Sequence, residues 1–181
     1  MNKQIWIRET TPGDESLVLE LIHELAEYER LADEVEATPE LLHQALFGDR
    51  PSAEAVIAEW NGQVAGFALF FINFSTFVGR PGLYLEDLFV RETFRGRGLG
   101  KALLLHLAGI ARQRHYGRME WSVLDWNQPA IDFYHSLGAK PMDEWTVFRL
   151  DEAALGRLDI FPPSSEGGRI SRTFPPSSEG G

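Results

Sequence analysis

A mixed α/β domain is what this sequence predicts, and three observations predict it. Stretches of β-type residues crowd together between positions 55 and 90, with an Asn61-Gly62 hairpin signal between the first two. Apolar residues recur at helical spacing on either side of that block, at Val18, Leu21, Ile22 and Leu25 and again at Leu99, Leu103, Leu107 and Ile110. Pro, Gly and Asn punctuate the joins between these segments.

Element by element, Ile5 to Arg8 reads as a short strand before the turn-like Thr10-Thr11-Pro12-Gly13. Asp14 or Ser16 can cap the first helix, and Thr38-Pro39-Glu40-Leu41 opens a second that ends near Gly48. Strands are expected over 55–60, 64–74 and 83–90, a helix over 99–114 and a strand over 119–124. Asn127-Gln128-Pro129 starts a helix whose inner face is Ala130, Phe133, Tyr134 and Leu137, with Gly138 as its stop. Thr146 to Leu150 reads as a closing strand.

The chain has 181 residues, 44% hydrophobic and 24% charged, enough for one core without staples. One domain is expected over 4–155. Residues 156–181 form a Pro/Ser/Gly-rich tail in which FPPSSEGG occurs twice, a composition that buries too little apolar surface to fix its backbone. The lack of Cys excludes disulfides, thiol nucleophiles and Cys-ligated metal centres. The formal charge of −10, from 17 basic and 27 acidic residues, has the wrong sign for gripping nucleic acid and the right one for steering a cationic small molecule. No apolar run reaches the roughly 18 to 20 residues of a membrane span, so a cytoplasmic protein is expected. The five histidines show no ligand spacing, and no metal is expected.

The segment that carries chemistry is Arg95-Gly96-Arg97-Gly98-Leu99-Gly100-Lys101, after an apolar strand and at the start of an amphipathic helix. Alternate glycines let a ligand approach the backbone, and free N–H groups with the helix dipole favour an anion such as a pyrophosphate. A dinucleotide fingerprint needs Gly at 101, and a P-loop needs Gly at 95 and Ser or Thr at 102. Lys101, Arg95 and Ala102 rule out both.

Arg95 to Gly100 matches the (Gln/Arg)-x-x-Gly-x-(Gly/Ala) acetyl-CoA signature, and the chain resembles the GNAT N-acetyltransferases over about residues 4 to 155. LYLEDLFV at 83–90, VLDWNQPAIDFY at 123–134 and LIHELAEYE at 21–29 are similar to stretches of the diamine and thialysine branch. The resemblance implies the family's fold, a central and mostly antiparallel sheet with splayed strands, flanked by about four helices. It implies acetyl-CoA as co-substrate. N–H groups from Gly96, Arg97, Gly98, Leu99, Gly100 and Lys101 would hold its pyrophosphate. Leu88, Phe89 and Val90 would pair with the pantetheine arm, and Asn127, Gln128, Pro129 and Ala130 would line its other side. Tyr134 would stand near the CoA sulfur and Glu86 near the acceptor amine, with Tyr28, Glu29, Asp87, Glu120, Trp121 and Ser122 around the acceptor. A homodimer is implied too.

These roles suit the residues. An ammonium must lose its proton before it attacks a thioester, and Glu86 sits in an apolar run where desolvation raises a carboxyl's pKa. A phenol at Tyr134 can protonate the departing thiolate. Direct attack in a ternary complex needs no acyl-enzyme, and no Cys is present to form one. Strand alternation should place Glu86 and Asp87 on opposite faces, with Glu86 favoured as the base. The diamine acetyltransferases carry an Asp and a Trp in the loop after the third strand, where Ser75 and Phe77 stand in this chain. That change removes a partner for a distal ammonium and points to a lysine-like or other small primary amine. The alternatives are acetylation of a protein or peptide amine and a non-catalytic CoA-binding sensor.

Overall fold

The computed structural model describes residues 4–158, which fall into two compact units, one ending at Ile131 and the other beginning at Asp132. In the first unit β1 (Ile5–Glu9), β2 (Glu54–Trp60), β3 (Gln63–Ser75) and β4 (Arg80–Val90) pair antiparallel in sequence order. β5 (Met119–Trp121) then joins β4 in parallel. The β2–β3 turn is the two-residue hairpin expected, with Asn61 at φ 51° and Gly62 at φ 79°.

Helices cover both faces of this sheet. α1 (Glu15–Glu29) and α2 (Pro39–Phe47) set Val18, Leu21, Leu25 and Leu42 against Phe67 and Phe89. α3 (Leu99–Gln113) contacts β3 and β4, where Leu99, Leu103 and Leu107 are buried along with Phe70, Leu83 and Leu85. The side chain of Thr38 accepts the Leu41 N–H to cap α2. Asp14 stands at the N-cap position of α1 without capping it. Its carboxylate accepts from Arg8 at 2.8 and 2.9 Å and from the Thr11 N–H at 2.8 Å, and Ser16 lies inside the helix. The stronger, charge-assisted partner wins over the cap.

The end of β4 is clamped just before the glycine loop. Arg91 donates through Nε to both Glu24 oxygens, at 2.9 and 3.0 Å, through Nη2 to Glu20, and through Nη1 to the Val64 carbonyl at 3.2 Å.

α4 (Gln128–Ser136) leads into the second unit and ends before Gly138, whose φ of 84° stops it. Two expected strands are corrected. The one over 119–124 ends at Trp121, where its pairing with β4 stops at Leu85, just before the bulged Glu86 shifts the β4 backbone. Thr146 to Leu150 forms no ladder among the described residues: Val147 and Phe148 are 84% and 91% exposed, and alternation that buries no side chain does not make a strand. A short α5 (Glu152–Gly156), capped by Asp151, follows it. The duplicated FPPSSEGG sequence lies outside the described residues. Among those described, no helix is long and apolar enough to cross a membrane.

Candidate active site

The site begins where the sheet opens. Leu69 of β3 faces Asp87 and Phe70 faces Leu85, so Glu86 is an extra, bulged residue. On the other side of β4, pairing with β5 stops at Leu85 and Trp121. From Glu86 to Val90 that edge has no β5 partner, so its backbone groups are left unpaired by the sheet on that side.

The bulge also breaks the alternation expected at Glu86 and Asp87. Glu86 is exposed, and burial falls on Asp87 instead. Burial first, then the charges of Glu86 and Glu29, push the Asp87 carboxyl up to about 6. Burial also raises the carboxyl of Glu29, which is half-buried at the end of α1.

The glycine loop lies at the far end of β4. Gly96 (φ 71°) and Gly98 (φ 87°) take left-handed conformations, and nothing lies within 4 Å of where a Cβ would stand. Gly98 is the N-cap of α3 and supplies no side chain, so the first-turn N–H groups remain open to a ligand. The two arginines act as struts. Arg95 donates from Nε to the Val90 carbonyl at 3.0 Å and stacks 4.3 Å over the Tyr28 ring. Arg97 donates to the Thr93 carbonyl at 3.0 Å and lies 5.3 Å over Trp60. Lys101 is exposed in the first turn of α3.

Tyr28 joins this loop to the far wall. Its hydroxyl donates to Asn127 Oδ1 at 3.5 Å, and its ring stands 6.0 Å from that of Trp126, over which Arg30 lies at 5.8 Å. Asn127, buried, also accepts from the Ala130 N–H at 3.4 Å and so starts α4, with Gln128, Pro129 and Ala130 in its first turn. Leu88 and Val90 are half-buried and Phe89 is in the core. Tyr134 lies on α4 in the second unit, half-buried beside Phe133 at 5.4 Å.

Around β5, Ser122 Oγ meets Tyr84 Oη at 2.8 Å, and Trp121 pairs with Leu85. Glu120 Oε2 accepts from Asn73 Nδ2 and from Arg118 Nε, both at 2.8 Å. Asn73 Oδ1 is buried without a partner, a cost of about 1–3 kcal/mol that this network carries. Arg118 and Trp126 are the residues that sequence reasoning missed. The i, i+2 spacing of Arg118, just before β5, and Glu120 within it was the available signal for the first.

An open strand edge, a left-handed glycine turn and an uncapped helix N-terminus fit an acyl-CoA: hydrogen-bonding backbone for the pantetheine amides, and N–H groups with a positive helix end for the pyrophosphate. Residues 18–139 match the acetyltransferase (GNAT) family. The thialysine N-epsilon-acetyltransferase of Bos taurus is 36% identical, over 85% of this chain and 96% of that protein. The L-ornithine N5-acetyltransferase NATA1 of Arabidopsis thaliana is 33% identical, over 84% and 87%. An integron cassette protein from the mobile metagenome of V. cholerae superposes with a TM-score of 0.70 at 29% identity, covering 84% of this chain and 95% of that one. The chain therefore belongs to the GNAT family as an acetyl-CoA-dependent N-acetyltransferase.

Proposed function

We propose that this enzyme acetylates a small primary amine by direct attack within a ternary complex. The observation that carries the reading is the edge of β4 left unpaired beyond Leu85: it leads from the glycine turn to a half-buried carboxyl pushed up to about 6. Acetyl-CoA, when bound, supplies an acetyl group activated as a thioester. The N–H groups of Gly96 to Lys101 bind its pyrophosphate, Leu88, Phe89 and Val90 offer backbone to its arm, and Asn127 to Ala130 line the opposite wall.

Asp87 takes the proton from the incoming ammonium. A carboxyl near 6 is ionised at pH 7 and still basic enough to accept a proton. Glu86, exposed on the bulge, meets the ammonium first, and Glu29 and Tyr28 complete its surroundings. The Tyr134 hydroxyl protonates the departing thiolate. A homodimer and a cytoplasmic setting complete the reading. For the first, Ile72, Phe74, Phe77 and Val78 present an exposed apolar hairpin end that a second copy would cover, which sedimentation can measure.

The deciding experiment incubates a panel of small amines with acetyl-CoA and follows thiol release together with acetylated product. At least one small primary amine should give equal amounts of both. Release that never depends on an amine would overturn the proposal.

A further inference from the structure

Past Asp87 the same face of the sheet runs to a second charged end. β3 contributes Phe71, Asn73 and Ser75 to this face in alternation, and the bulge brings Asp87 and Tyr84 of β4 onto it, although they are three residues apart. Between the two ends lie the stacked rings of Phe71 and Tyr84, 5.0 Å apart. At the far end Arg118 donates from Nε to Glu120 at 2.8 Å and from Nη1 to Ser75 Oγ at 3.2 Å. Asn73 holds the same Glu120 oxygen at 2.8 Å. The Arg118 and Glu120 side chains are 37% and 33% exposed, so a ligand can reach them.

Glu120 is not an open anion, because a guanidinium and an amide already meet its charge. A second ammonium arriving there would have to displace Arg118. A carboxylate would instead find a planar set of donors already held in place. The Asp87 and Arg118 rows are separated by four residues of β3, about 13 Å. A hydrogen bond of about 2.8 Å at each end leaves room for a chain of lysine length between them.

We propose that Arg118, braced by Glu120 and Ser75, is a specificity-determining residue that selects an amine carrying a carboxylate at its other end, a basic amino acid in preference to a diamine. The inference rests on the reading that Asp87 marks the amine end of the site.

Lysine and cadaverine share an amine-bearing chain and differ by that carboxylate. Their kcat and KM are to be measured with the full chain and with Arg118→Gln, Arg118→Lys and Glu120→Gln. The unaltered enzyme should prefer lysine in kcat/KM by roughly tenfold, the worth of a charge-assisted contact. Arg118→Gln should erase that preference through the KM for lysine, and Arg118→Lys should restore part of it. Glu120→Gln leaves Arg118 in place with its charge unmatched and should sharpen the preference, which keeps the test decisive if Arg118→Gln folds poorly. A preference for cadaverine, or equal losses on both amines in Arg118→Gln, would overturn the assignment while leaving the amine site standing. If no amine at all is acetylated, the Asp87 reading itself fails and this inference fails with it.

Discussion

Asp87 and Glu86 are neighbours in the chain with different surroundings, and each should leave its own mark on the pH profile. A base with a pKa near 6 is protonated below that point, so kcat/KM should fall as pH drops through about 6. Asp87→Asn should remove this limb and lower kcat by about 100-fold or more. Glu86→Gln removes a charge that raises the Asp87 carboxyl, so the limb should move to lower pH while persisting. If Glu86→Gln abolishes the limb and Asp87→Asn keeps it, the two roles are reversed. Tyr134→Phe should lower kcat by about 100-fold with acetyl-CoA affinity unchanged by calorimetry, and an unaltered kcat would remove the acid role. The sequence shows this acidic pair plainly. Which member is buried was hidden from it, because strict alternation holds only where no residue is inserted, and Glu86 is inserted.

At the scale of elements, the turn before α3 and the junction before α1 illustrate opposite kinds of legibility. The glycine turn is local: Gly98 needs φ near 87° whatever surrounds it, and a reader of the sequence can see why only Gly stands there. Gly98→Val should cost about 1–2 kcal/mol of stability in thermal unfolding and most of the acetyl-CoA binding in calorimetry. The α1 junction is not local. Asp14 looks like a cap, yet Arg8, brought alongside by the β1–β2 pairing, claims its carboxylate and lowers it from 3.8 to about 2. A lowered carboxyl stabilises the fold above its unfolded value, and that contribution is lost as pH falls from about 4 toward 2. Arg8→Gln should therefore destabilise the protein by about 2 kcal/mol at pH 7 and by much less near pH 2, as measured by denaturant unfolding. Equal losses at both pH values would show that the ion pair is not the cause.

The molecule as a whole carries a charge of −10 and concentrates acids where Glu29, Glu86 and Asp87 meet. A cationic acceptor is drawn toward such a site over the Debye length, which shrinks from about 30 Å at 0.01 M salt to about 8 Å at 0.15 M. The kcat/KM for a cationic amine should fall several-fold across that range with kcat little changed, and no salt dependence would remove steering from the account. By itself the sequence determined helices α1 to α4, the first four strands, the glycine turn and the family, because periodicity, caps and glycines act over a few residues. Only the tertiary structure decided where the sheet opens, that Asp87 and not Glu86 loses its water, and that Arg118 reaches Ser75 and Glu120. Each of these depends on register across strands far apart in the chain, and one bulged residue in β4 resets that register.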